Sequence, residues 1–163
     1  MRKLRIAICD LRWVLAPVVL WALAVFAAPS SPSPEVAPAH DPVARFANVD
    51  VYIDPHGAAL AAYQVECTAD PSRVTLVGVE GGFHEAFKTP PYYDPKALAG
   101  HRIVLAALNP GSDLPKEKVR VATLHLRILG DAPANVSAKL VTAASSNEQV
   151  IPADVSVAEG ANP

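Results

Sequence analysis

Beyond position 42 the chain carries a two-residue rhythm of apolar side chains. In 46–53, Ala47, Val49, Val51 and Ile53 share one parity, while Asn48, Asp50 and Tyr52 take the other. Ala61, Tyr63, Val65 and Cys67 alternate in the same way with Gln64 and Glu66. Successive side chains of an extended strand point to opposite faces, so this period predicts strands with one buried face. The runs 73–79 (RVTLVGV) and 102–108 (RIVLAAL) are apolar on both parities, which predicts strands covered on both faces. Segment 118–129 opens with Val119 and Val121 on one parity and continues with Leu124, Leu126 and Ile128 on the other. Such a slip predicts a β-bulge or a strand that changes sheets. Val136, Ala138 and Leu140 alternate with Ser137 and Lys139, and Ile151, Val155 and Val157 with Asp154 and Ser156.

Turn residues separate these runs: Asp54-Pro55-His56-Gly57, Asp70-Pro71, Gly81-Gly82, Asn109-Pro110-Gly111 and Gly130-Asp131. One helical signal stands out, a short turn near 94–99 with Asp94 as cap, Pro95 at the first helical position and Gly100 at the close. Many short strands with almost no helix predict an all-β fold, an antiparallel two-sheet sandwich or jelly roll.

The N-terminus follows different rules. Arg2, Lys3, Arg5 and Arg12 precede an apolar stretch at 13–27 that ends in Val25-Phe26-Ala27. This run is shorter than the ~20 residues that span a bilayer, so 1–27 is expected to be a cleaved signal peptide, with an uncleaved anchor as the alternative, and to be the one link to a membrane. Proline-rich 28–42, with PSSPSPEVAPAHDP from position 29, is expected to be an extended linker. The sandwich then occupies 43–157, and 158–163 (AEGANP) is expected to be a flexible tail. A secreted, extracellular or envelope location follows.

Removing 1–27 takes four of the 14 basic and one of the 16 acidic residues, leaving 10 against 15 and a formal charge of −5. That balance argues against a nucleic-acid partner, whose phosphates need clustered cations. Lys116, Lys118 and Arg120 form the one basic cluster, expected at a strand edge as solvated charges that discourage edge pairing. Cys67 is the single cysteine beyond the signal segment, so no disulfide within the domain is expected.

The order of these elements carries a resemblance. Val49-Asp50-Val51-Tyr52-Ile53, then Ala61-Ala62-Tyr63-Gln64-Val65-Glu66-Cys67 with Asp70-Pro71, then Val74-Thr75-Leu76-Val77-Gly78-Val79, resembles the opening of a cohesin domain. Arg120-Val121-Ala122-Thr123-Leu124-His125-Leu126-Arg127-Ile128 is similar to a later strand of that family. The likeness spans 46–157, with Cys67 standing where the family has Leu. It implies a jelly-roll sandwich of about nine strands, related in shape to the carbohydrate-binding domains of polysaccharide-degrading systems. It also implies a dockerin-type protein module or a carbohydrate as partner, with no catalytic residue and no cofactor. The function expected is therefore an exported, non-catalytic cohesin-like binding module. The alternative is a small secreted or envelope-associated structural protein without a soluble ligand.

Residues with chemistry point the same way. His56, His84, His101 and His125 lie in separate turns and strands without zinc-ligand spacing, so no metal site is expected. Cys67 shares parity with Tyr63 and Val65, which predicts a buried thiol in place of a nucleophile. Glu80 with Glu85, and Asp50 with Asp54, are carboxylate pairs, but a glycosidase needs them across a cleft that a small sandwich lacks. The connection 81–100 is the longest and places Phe83, Phe87, Tyr92 and Tyr93 in one stretch stiffened by Pro90, Pro91 and Pro95. Rigid rings suit an interface anchor or a sugar-stacking platform, so these four are the candidate binding residues; the other reading is that the rings cap the open end of the sandwich as a satellite core. Tyr92 and Tyr93 are the expected exposed pair.

Overall fold

The computed structural model describes residues 43–131 and 133–160. The signal-peptide and linker readings at 1–27 and 28–42 lie outside the described residues. Seven strands form among them: β1 (Ala44–Asp54), β2 (Ala62–Thr68), β3 (Val74–Gly81), β4 (Arg102–Leu108), β5 (Val119–Leu129), β6 (Ser137–Ala144) and β7 (Asp154–Glu159). They make an all-β sandwich of two antiparallel sheets, ordered β3-β5-β1-β7 and β4-β2-β6. Every connection crosses from one sheet to the other, because odd-numbered strands build the first and even-numbered strands the second. Each strand thus buries the face that looks across the sandwich. Seven strands are fewer than the roughly nine the resemblance implies.

The core is the set of inward positions read from the period: Val49, Val51 and Ile53 of β1, Tyr63, Val65 and Cys67 of β2, and Leu124, Leu126 and Ile128 of β5 are all buried. Ile103 and Leu105 of β4 close it from the smaller sheet. The phase slip in β5 is a bulge. Val51 faces Ala122 and Tyr52 faces Arg120, leaving Val121 as the extra residue. Both Val121 and Ala122 are then buried, and Arg120 turns to the outer face.

Two further bulges each insert a valine, Val77 between Leu76 and Gly78, and Val141 between Leu140 and Thr142. They correct one expectation. The run at 73–79 is apolar on both parities because inward positions shift from Val74 and Leu76 to Val79, not because both faces are covered. β3 and β4 are edge strands, and Val77 and Leu108 are exposed.

The helical turn at 94–99 forms as a 3₁₀ turn at Pro95–Ala97, capped by Asp94 through the Lys96 amide at 2.9 Å. A second 3₁₀ turn at Glu85–Phe87 was not anticipated; the His84 ring caps it by accepting from the Ala86 amide. At the C-terminus β7 runs through Ala158 and Glu159, and the Gly160 amide donates to the Asn48 carbonyl. The strand therefore extends into the stretch expected to be a tail.

Candidate functional site

The connection 82–101 first of all protects sheet edges. Leu76 on the outer edge of β3 exchanges hydrogen bonds with Ala99 and Gly100, and Ala106 on the outer edge of β4 exchanges a pair with Tyr92. Unpaired edges template aggregation, so much of the loop's length serves this cover. Gly81 and Gly82 are not the turn that the sequence suggests. Gly81 ends β3, and a Cβ there would lie 1.9 Å from the Lys88 carbonyl oxygen; at Gly82 it would lie 2.2 Å from that of Arg120. Gly81 lets the loop fold back against the end of β3, and Gly82 lets it lie directly against the start of β5.

This arrangement separates the four candidate aromatics. Phe87 is 2% exposed and meets Tyr63 edge-on at 5.2 Å, so it belongs to the core and offers no ring to a partner. Tyr93 is half-buried against the same core, which corrects the expected exposed pair. Phe83 and Tyr92 remain outside, 81% and 79% exposed. They do not make one platform: Tyr92 runs along the edge of the three-stranded sheet, while Phe83 lies against the four-stranded one. Tyr92 borders a shallow concavity of about 240 Å³ with Pro90, Pro91 and Leu108.

Phe83 has company that the sequence does not announce. Its amide donates to the Arg120 carbonyl, and Arg120 faces Tyr52 across the β5–β1 ladder. A ring, a guanidinium and a second ring therefore stand side by side on the outer face. The Arg120 Cζ sits 5.9 Å from the Phe83 centroid, and Lys118 Nζ 5.3 Å from that of Tyr52, both within cation–π range. Two adjoining concavities of about 370 and 260 Å³ share Lys118 and Val119 and form one open groove. His84, Leu114, Pro115, Lys116 and Glu117 line one end; Tyr52, Phe83 and Arg120 line the other.

The basic cluster thus needs correction. Arg120 is on β5, an interior strand of its sheet, and not at an edge. Asp50, 9% exposed, accepts from Thr123 Oγ1 at 2.6 Å and takes longer contacts from Arg120 Nη1 (3.5 Å) and the Tyr52 hydroxyl (3.4 Å). Arg120 Nε is buried without a hydrogen-bond partner among the described residues. The guanidinium carries five donors, most of them uncommitted. One row further along the face, His125 bridges Asn48 (2.8 Å) and Glu80 (3.0 Å).

The remaining chemistry is dispersed. His56 reaches Asp154 at 3.1 Å and ties the first turn to β7, His84 caps its 3₁₀ turn, and His101 is exposed. Among the described residues no three His, Cys, Asp or Glu side chains converge to hold a metal ion. Glu80 engages His125, whereas Glu85 engages Lys88, whose hydrogen bond and charge hold that carboxyl below its usual range. Cys67 is 1% exposed, and burial, with the Glu66 charge adding to it, pushes its thiol up to about 12. A neutral thiol packed beside Tyr63 and Val65 behaves as a small apolar side chain.

Tyr52 and Thr123 were not anticipated as part of a site. Their only sequence signal is outward parity near a basic residue, and the cross-strand register that pairs Tyr52 with Arg120 is not visible in either segment alone. Comparison with protein-family models, curated proteins and solved structures finds no match to this chain.

Proposed function

We propose that this chain is an exported, non-catalytic cohesin-like binding module whose partner is a dockerin-type protein module or a carbohydrate. The sequence pattern at 46–157 supports the cohesin likeness, and the two-sheet sandwich is the fold class that likeness implies. The observation that carries the binding reading is Phe83, a large apolar side chain 81% exposed yet held against Arg120 at the mouth of a groove. Exposed rings on a rigid backbone give contact area at little entropic cost, which is what recognition surfaces use. The groove is open and shallow, a shape suited to holding a surface or a chain more than to enclosing a reacting group.

The test is a pair of binding screens on the purified protein. One presents dockerin-bearing proteins and the other an array of plant and microbial glycans. Saturable binding in either supports the module; silence in both rejects it. Hydrolytic turnover of a glycan, lost in Glu80→Gln, would replace the proposal with an enzyme.

A further inference from the structure

We infer that the groove between Phe83 and Lys116 docks an acidic, extended segment of a partner protein, with carboxylates on the cations and an aliphatic side chain against the Phe83 ring. The inference rests on the binding-module reading and commits it to a protein partner.

Charge is the first argument. Three of the ten basic residues beyond position 27 fall within five positions, Lys116, Lys118 and Arg120, in a segment whose overall balance is acidic. Lys116 and Lys118 are exposed, and no ion pair involves either of them among the described residues. Of the nearby acids, Asp50 accepts from Thr123 and pairs with Arg120 at 3.5 Å, and Glu117 and Asp113 are exposed and offset part of the charge, so the two lysines carry most of the uncompensated charge. What remains is rich in donors, three on each lysine ammonium and those of the guanidinium that neither reach Asp50 nor lie buried at Nε, and carboxylates are the acceptors such a set selects.

Preorganisation is the second. The rings of Tyr52 and Phe83 hold Lys118 and Arg120 in place before any partner arrives. The Phe83 backbone is itself held by the hydrogen bond its amide donates to the Arg120 carbonyl and by the close approach of Gly81 and Gly82 to neighbouring backbone. Side chains already ordered lose little entropy on binding. An exposed phenylalanine also distinguishes the occupant. It adds an apolar contact with no hydroxyl to share, which fits aliphatic side chains set between carboxylates better than a sugar chain studded with hydroxyls.

The experiment titrates the isotope-labelled protein, followed by amide chemical shifts, with a short peptide of alternating Glu and Leu. Its Gln/Leu counterpart and an oligogalacturonate run in parallel. The expected result is shifts centred on 82–84 and 116–120 with the Glu peptide alone. They should weaken with salt and fall about tenfold or more in affinity in Lys116→Glu/Lys118→Glu, with Lys139→Glu on the other sheet unchanged. Equal binding of the Gln peptide, binding of the oligogalacturonate alone, shifts elsewhere, or no shifts would each overturn the assignment. A dockerin or glycan that binds wild type and the double variant equally would sink this groove while leaving the module reading intact. Failure of every ligand in the screens above would remove both.

Discussion

Phe87→Ala gives the sharpest check on how the aromatic loop is divided. The side chain is 2% exposed, so its truncation removes about 3 kcal/mol of transfer free energy. The edge-on contact with Tyr63 at 5.2 Å contributes about 1 kcal/mol more. The loss of about 4 kcal/mol sits within the range of about 3–5 kcal/mol typical of buried Phe→Ala changes. A domain of this size has on the order of 5–15 kcal/mol in total, so the variant folds marginally. Phe83→Ala, removing a ring 81% exposed, is expected to change stability by less than about 0.5 kcal/mol. Urea unfolding followed by circular dichroism measures both. With a slope of about 2 kcal/mol per molar, Phe87→Ala shifts the midpoint by about 2 M and Phe83→Ala hardly at all. Phe87→Leu, which keeps most of the apolar volume, falls between wild type and Phe87→Ala and stays measurable if the alanine variant fails to fold. Equal losses for Phe83→Ala and Phe87→Ala would refute the division into core and surface rings.

Other consequences follow from the same structure. In a Cys9→Ser background, Cys67 should resist a thiol reagent at pH 8 until denaturant is added, and rapid labelling of the native protein would contradict its burial. Because the folded state holds the Cys67 thiol neutral up to about 12, the unfolded chain releases that proton first, from about pH 9. Stability is therefore complete below pH 9 and falls at about 1.4 kcal/mol per unit above it, more steeply past pH 10 because burial also raises the Tyr63 hydroxyl. Unfolding curves from pH 7 to 11 test this, and Cys67→Ala should flatten the segment between pH 9 and 10. Gly81→Ala forces a Cβ onto the Lys88 carbonyl and should lose about 2 kcal/mol in urea, whereas a neutral result would mean that the loop does not pack so closely. Deleting Val121 removes the extra residue and leaves Arg120 opposite Tyr52 and Val119 opposite Ile53, so the deletion protein should still unfold cooperatively in urea, and loss of the transition would contradict the bulge.

The apolar period alone determined that this chain is a sandwich. Positions such as Val49, Val51 and Ile53 face inward because alternation is a local property of an extended backbone and needs no knowledge of the partner strand. The Asp94-Pro95 turn and the β5 bulge were legible for the same reason: capping and a change of parity are written in adjacent residues. What period two does not carry is the identity of the neighbouring strand. The Val77 bulge accounts for the double parity of 73–79, and strand order places that run and 102–108, both of which read as covered strands, at the edges. The same order put Arg120, read as an edge charge, between β3 and β1. Nor does the sequence of 81–100 distinguish Phe87 from Phe83. Both are rings in a proline-rich loop, and only the path of the backbone over the glycines at 81 and 82 drives one into the core and leaves the other over Arg120. The groove combines residues more than thirty positions apart in sequence. It exists because cross-strand register brings Tyr52, Phe83 and Arg120 into one row, and register is decided by the packing of whole sheets.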